Sequence, residues 1–363
     1  MQVTQEIKKF QKNTVEDCLK LQMIELDRYF HDNLEALANR LAQPFQIFID
    51  QLESAQQQDG LKPIGFIMVS WLRSPFLANQ ELSYEWHSYG ENWYYDTIQE
   101  SIIQRFDGFE RFIQAFQTMI QAELLERESQ ELFKQERYYV SVYFEVFQRY
   151  FVELMRFLLK KKGATLFEKL RLADEFHVYV GEFKDKSQVV YEKVTTLITQ
   201  SDLDDYLSSG KMEAEGIKNF VEKSFKHANL SNQTFVFANF WKSDLTGAEL
   251  KESILVGSQF VACQLEQANF QSSFIQDADF SHAKCRHANF QSVKGNLALA
   301  IEAVPSYFGV NFSYADLRET DFRGAQLRGA NFEHAQLENA LFLTSQKDKF
   351  NLSPEQIKEI KWV

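Results

Sequence analysis

Every fifth residue is apolar through most of the last third of this chain. From Phe225 to Phe290 the run is unbroken: Phe225, Leu230, Phe235, Phe240, Leu245, Leu250, Leu255, Phe260, Leu265, Phe270, Ile275, Phe280, Cys285 and Phe290. It resumes two residues out of frame at Phe312, Leu317, Phe322, Leu327, Phe332, Leu337 and Phe342. Two positions before these centres stands a small residue, as at Ala228, Ala238, Ala248, Ser258, Ala268, Ala278, Ala288, Ala315 and Ala330. A period of five matches neither a helix, at about 3.6, nor a strand, at about 2. It fits a chain that turns a corner every five residues and directs one large and one small side chain inward from each wall, filling a narrow interior without overpacking. The residue before each centre is mostly Asn or Asp, including Asn229, Asn239, Asp244, Asn269, Asp279, Asn289, Asn311, Asp316, Asp321 and Asn331. Both side chains bond their own backbone and tolerate turns, which suits a corner.

The triplets Ala228-Asn229-Leu230, Ala268-Asn269-Phe270, Ala315-Asp316-Leu317 and Ala330-Asn331-Phe332 resemble the pentapeptide-repeat family over residues 223–346. That resemblance implies a right-handed quadrilateral β-helix of about twenty residues per coil, a solenoid that needs both ends covered. Phe240, Phe260 and Phe280, twenty apart, then stack in one internal ladder. Residues 201–222 serve as linker and N-terminal cap. Ser353-Pro354-Glu355-Gln356 is a helix start, with Ser as N-cap, Pro at the first helical position and Gln three after the cap. Residues 347–363 thus form a C-terminal capping helix that turns Ile357, Ile360 and Trp362 toward the last coil.

Charge is uneven. Of the net −12, residues 1–222 carry 25 Lys and Arg against 36 Asp and Glu, whereas residues 223–346 carry 10 against 12 and the last seventeen carry 4 against 3. A basic nucleic-acid footprint is absent, so no direct nucleic-acid partner is expected. Met1 to Asn13 is polar and charged, unlike a signal peptide. The most apolar long stretch, Tyr138 to Leu159, carries Glu145, Arg149, Glu153 and Arg156, so no membrane span is expected. Three cysteines point to a reducing compartment, and the chain is placed in a bacterial cytoplasm. Cys263 and Cys285 are taken as small buried hydrophobes.

Residues 1–200 are expected to form a mostly helical domain with a small antiparallel sheet, making the whole chain α+β in two domains. Long amphipathic helices over 4–57 carry Ile7, Phe10, Cys18, Leu21, Leu26, Phe30, Leu34, Leu37 and Leu41 on one broad face and break at Pro44. After an Asp59-Gly60 turn, Ile64 to Leu72 and Leu82 to Tyr89 are strands. Helices return from Trp93 to Lys161 with a break at Gly108, and a hairpin joins Phe176–Glu182 to Gln188–Tyr191 across Lys184–Ser187. A polar helical stretch with Gly210 and Gly216 leads into the first coil. Segment 84–95 is dense in aromatics; packing inward is their ordinary role, with Trp86 and Trp93 the candidates for a recognition surface.

No catalytic, cofactor or metal residue is assigned. The phosphate-loop, dinucleotide, nucleophile-elbow and zinc-protease motifs are missing. His227, His282, His287 and His334 fall at outward corner positions without zinc spacing. Candidate interaction residues come instead from two features of the repeat. If the frame resets at Leu297, the next centres are Glu302 and Tyr307, and a glutamate cannot point into an apolar interior. Residues 293–309 therefore leave the coil, as a loop or as a short helix over Leu297 to Val304, either as a projection that binds or as an insertion packed on its own rod. Glu302, Tyr307 and Phe308 represent this interruption. The second feature is the set of outward aromatics Phe237, Trp241 and Phe274; docking on the chain's own N-terminal domain would account for the first two.

The function expected is that of a non-enzymatic scaffold engaging a protein partner, with a homodimer through the C-terminal helix as a further arrangement. The family resemblance offers an alternative, DNA mimicry that protects DNA gyrase from quinolones or toxins, although a nearly neutral rod lacks the negative face that replaces phosphates. A second alternative is a ligand-binding or enzymatic N-terminal domain with the β-helix as oligomerisation platform.

Overall fold

The computed structural model describes residues 2–58, 61–73, 81–127, 132, 134–182, 186–194, 199–209, 219–298 and 306–363. The Asp59–Gly60 turn, Lys184 and Asp185, Gly210, Gly216 and Glu302 lie outside them. The chain divides into two compact units, Met1–Thr196 and Leu197–Val363.

In the first unit, α1 (Gln2–Phe10), a π turn (Gln11–Val15) and α2 (Glu16–Gln57) follow one another directly, and α2 runs through Pro44. The expected break there is corrected. A proline inside a helix costs about 3 kcal/mol, but Leu41, Phe45 and Phe48 are fully buried on both sides of it, and their packing holds the helix. Next come β1 (Ile64–Leu72), β2 (Ser83–Tyr89) and a strand where a helix was expected, β3 (Glu100–Arg105). Then follow α3 (Glu110–Arg127), beginning just after Gly108, α4 (Glu136–Leu166), β4 (Leu172–Gly181) and β5 (Ser187–Val194).

The sheet order is β3-β2-β1-β4-β5. It is mixed rather than antiparallel: β1 pairs parallel with β4, and the other pairs are antiparallel. A parallel neighbour requires a long crossover, which α3 and α4 supply between β3 and β4. Helices pack on one face of the sheet. Trp86 lies against Phe45 and Phe48 of α2, with centroids 5.0 and 5.9 Å apart, and Tyr84 stacks on Phe151 of α4 at 3.9 Å.

The second unit is a β-helix. Single-residue parallel bridges join each residue before a centre to the residue twenty later, from Asn219↔Asn239 through Phe274↔Lys294. All the centres named from the sequence are buried, and Phe220 extends the column one repeat earlier. Phe240, Phe260 and Phe280 stack at 4.9 Å, and Phe220, Phe312 and Phe332 lengthen that ladder. Phe270, Phe290, Phe322 and Phe342 form a second ladder, set nearly perpendicular to the first. Asn and Asp before each centre accept from the backbone N–H two residues on, as in Trp241 N to Asn239 Oδ1 at 3.0 Å. Small polar inward residues donate to a carbonyl twenty-three residues earlier, as Ser253 to Leu230, Ser273 to Leu250 and Cys263 to Phe240, or, for Thr320, to Leu317 three residues earlier.

Each end of the coil is met by side chains that continue this bonding. At the start, α5 (Gln200–Ser209) sends Leu203 into the rod core, and the Gln200 amide both donates to and accepts from the Ser224 backbone. At the finish, β6 (Leu341–Phe342) pairs with β7 (Lys361–Trp362), and α6 (Pro354–Glu359) is capped by Ser353 and Gln356. The Gln346 amide donates to the Phe322 and Ala325 carbonyls, and the Gln356 amide donates to those of Phe332 and Ala335. Phe260 packs between two rings of its ladder, so Phe260→Ala is expected to destabilise the rod by about 3–5 kcal/mol in denaturant unfolding. A loss under about 1 kcal/mol would show that the ladder does not hold the coils.

Candidate interaction face

Residues two after most centres turn the corner in the left-handed backbone region. One corner carries, coil after coil, Phe237, Gly257, Asp277, Leu297 and Gly329. Its two glycines are required: a Cβ on Gly257 would lie 2.3 Å from Phe237 Cδ1, and one on Gly329 would lie 2.1 Å from Leu297 Cδ1. A bulky corner side chain therefore lies over a glycine in the next coil. Asp277 breaks that series and does something different.

The interruption begins beside it. Bridge spacing jumps from twenty to thirty-two, with Asp279 pairing with Asn311, so twelve residues are inserted. They leave later than expected, because Val293 is fully buried and Lys294, Gly295 and Leu297 keep their places in the coil. A short antiparallel bridge, Ala298↔Ser306, closes the neck. Gly295 occupies a centre, the first in frame without a side chain. A Cβ there would lie 2.6 Å from Val310 Cγ2 and about as close to Leu327 and Ile275, so the returning chain fills the space with Val310.

The return limb is fixed by one carboxylate. Asp277 accepts from Ser306 Oγ at 2.7 Å, and from the backbone N–H groups of Tyr307 at 2.9 Å, Phe308 at 2.9 Å and Gly309 at 2.8 Å. Burial pushes the Asp277 carboxyl above the ordinary aspartate range, against these bonds, which favour its charged form.

The structure brings several expected residues to the walls around this corner. Ile254, 40% exposed, is bridged to half-buried Phe274, and Phe274 to Lys294, whose ammonium lies 4.2 Å from the Phe274 ring. Phe308 is 38% exposed at this corner; Trp241, equally exposed, lies at the next corner along, two coils earlier, with the Lys242 ammonium 3.9 Å from its ring. Half-buried Phe237 lies over Gly257. Tyr307 is corrected: it is buried, its N–H turned to Asp277. So is Trp86, buried against α2 as a core residue of the first unit. Trp93, also in the first unit, is half-buried and stacks on Phe66 at 4.7 Å. Sequence reasoning missed Asp277 and Ile254. Gly295, an in-frame centre lacking a side chain, was the legible sign of where the insertion would be accommodated.

Elsewhere the rod pairs its charges locally. Asp316 accepts from Arg318, Asp321 from Arg323, and Glu319 pairs with Arg286. Hydrogen bonding from Arg318 holds the Asp316 carboxyl below the ordinary range. His282, Tyr314 and His334 stack along an outer corner at 5.0 and 4.7 Å. Among the described residues no group of His, Cys, Asp and Glu could hold a metal, and no helix is long and apolar enough to cross a membrane.

Asp277→Asn replaces an acceptor oxygen with a donor facing N–H groups. Faster amide exchange at residues 307–309, with the ladder amides unchanged, is expected by about tenfold or more; unchanged exchange would show that the carboxylate does not hold the limb. Carboxyl NMR should place Asp277 above and Asp316 below the ordinary value of about 3.9. By linkage the charged Asp316 contributes stability above that value, lost as pH falls through its folded pKa. Asp277 works in the opposite sense: its contribution is present at low pH and lost as pH rises through its folded pKa.

The pentapeptide-repeat family model matches residues 224–260, 258–294 and 308–342, in eight copies. No curated protein matches the chain. Among solved structures, a pentapeptide repeat protein from Nostoc is 18% identical, covering 45% of this chain and 96% of its own, with a TM-score of 0.18. One from the cyanobacterium Cyanothece is 19% identical over 39% of this chain and 95% of its own, with a TM-score of 0.22. QnrB1, a plasmid-mediated fluoroquinolone resistance protein, is 19% identical over 41% and 92%, with a TM-score of 0.21. The family match stops short of the first unit, and residues 224–294 and 308–342 are a pentapeptide-repeat β-helix.

Proposed function

We propose that this chain works by binding a protein partner, with the β-helix as a rigid scaffold and the face around Asp277 as the contact. The carrying observation is the fourfold bonding of the return limb to Asp277, which fixes Phe308 beside the walls that bear Ile254 and Phe274. Ordering an interface residue before binding removes an entropic cost from association. Exposed apolar side chains rimmed by Lys294 fit a protein interface better than a solvated wall. In this proposal the coil is four-sided, α6 is its C-terminal cap, and the setting is the cytoplasm, where the buried free cysteines Cys18, Cys263 and Cys285 stay reduced.

Gyrase protection by DNA mimicry is the weaker alternative. A mimic needs unneutralised carboxylates in rows, and here Asp316, Asp321 and Glu319 are matched by arginines. Nothing specific favours an enzymatic first unit.

Affinity capture from source extract with the full chain, compared with an Ile254→Glu, Phe308→Glu double variant, tests the proposal. A partner retained by the parent chain and lost from the folded variant is expected; identical partner sets would remove this face from consideration. Purified chain is expected to leave quinolone inhibition of gyrase supercoiling unchanged, and protection there would restore the alternative.

A further inference from the structure

On the wall over residues 331–338 the last coil is half covered: Gln356 takes the Phe332 and Ala335 carbonyls, and the backbone N–H groups beside them are left open. In the coil above it, Phe312, Tyr314 and Leu317 donate their backbone N–H groups to Asn331, Glu333 and Gln336 at 2.8–2.9 Å. One coil down, the corresponding N–H groups of Phe332, His334 and Leu337 make no backbone hydrogen bond among the described residues. The next walls are served: Asn339 donates to Glu359, and Lys361 and Val363 donate back to Ala340 and Phe342. Asn331 and Gln336 are exposed, whereas Asn311 and Asp316 above them are half-buried. A groove of about 700 Å³ runs between this edge and α6. Glu333 and Glu338 project into it from the edge, Glu355 and Glu359 from the helix, and His334 is the only cationic side chain type in its lining.

We propose that this edge takes an extended, Lys- and Arg-rich segment of a partner protein, added as a parallel strand to residues 331–338. An unpaired strand edge is a template for further pairing, and backbone donors supply affinity in strand addition. The four glutamates choose the occupant, since an acidic or neutral strand leaves them unmatched and a basic one pairs with them. A second copy of this chain would bring the same glutamates to the same groove, like charge against like. This surface is separate from the face around Asp277 and does not depend on it.

The test uses the full chain and a fluorescent peptide alternating Lys and Val, with a Glu and Val peptide as control. Anisotropy should show binding of the basic peptide that weakens at least several-fold as salt rises from about 50 to about 500 mM. Binding should fall about tenfold or more in a quadruple Glu333→Lys, Glu338→Lys, Glu355→Lys, Glu359→Lys variant, each exposed pair contributing modestly. Amide exchange at Phe332, His334 and Leu337 should slow only when the basic peptide is bound. If the quadruple variant unfolds, the Glu355→Lys, Glu359→Lys pair on α6 gives the same comparison. Equal binding of the control peptide, binding without protection of those three amides, or amides already protected in a dimer covered by a second copy would each overturn the proposal.

Discussion

The β-helix depends on closure. Each coil must return its backbone to the same bridged positions, because the amide of each centre up to Phe322 donates to the coil beyond it, as Phe260 does to Asp279 and Phe270 to Asn289. That constraint fixes the interior, which has room for one large and one small group per wall. It also explains why polar small residues are tolerated there. Ser253 and Ser273 are completely buried, yet each hydroxyl meets a carbonyl at 2.7 or 2.8 Å, so neither hydroxyl is stranded. The glutamines at the end of the rod make the same contact from outside the repeat. Gln346 and Gln356 reach the Phe322 and Phe332 carbonyls, which a serine of a further coil would otherwise meet.

Much of this was legible because each requirement is local or recurs at a fixed interval. Asn239 and Asp244 form their turns with their own neighbours, and the Phe240–Phe260–Phe280 stack follows from a twenty-residue return. The first unit was legible only in part. Ile64–Leu72 is continuous and apolar enough to be seen as a strand. Glu100–Arg105 is an edge strand with Ile103 outward, and its alternation is too weak to separate it from the helices on either side. Pro44 misled because local propensity was outweighed by burial on a face whose partners lie on other elements. The aromatic strand 84–89 turned inward, which is why Trp86 offers nothing to a partner.

Charge separates what the rod could do from what its family resemblance invites. Asp316, Asp321 and Glu319 sit beside arginines two residues along the wall or one coil away, so their field is cancelled within a few ångströms. The groove at the last coil differs: Glu333, Glu338, Glu355 and Glu359 gather there, with His334 beside Glu333. The end groove thus gathers acidic side chains, while the middle of the rod offers apolar contact at Ile254, Phe274 and Phe308.

Asp277 shows how an insertion can be made without loosening a solenoid. Twelve extra residues must leave and rejoin at one corner, and the rejoining backbone arrives with three N–H groups and a hydroxyl converging on one point. An amide side chain cannot serve them all, because half of it donates; an ionised carboxylate accepts only, with room for about four bonds. Its place in the sequence carries no such sign, since the donors lie twenty-nine to thirty-two residues later. The neighbouring Gly295 completes the device by giving Val310 the volume its own side chain would have taken. The two-residue shift in the repeat is thus absorbed by one acceptor and one void, and the coils on either side keep their register.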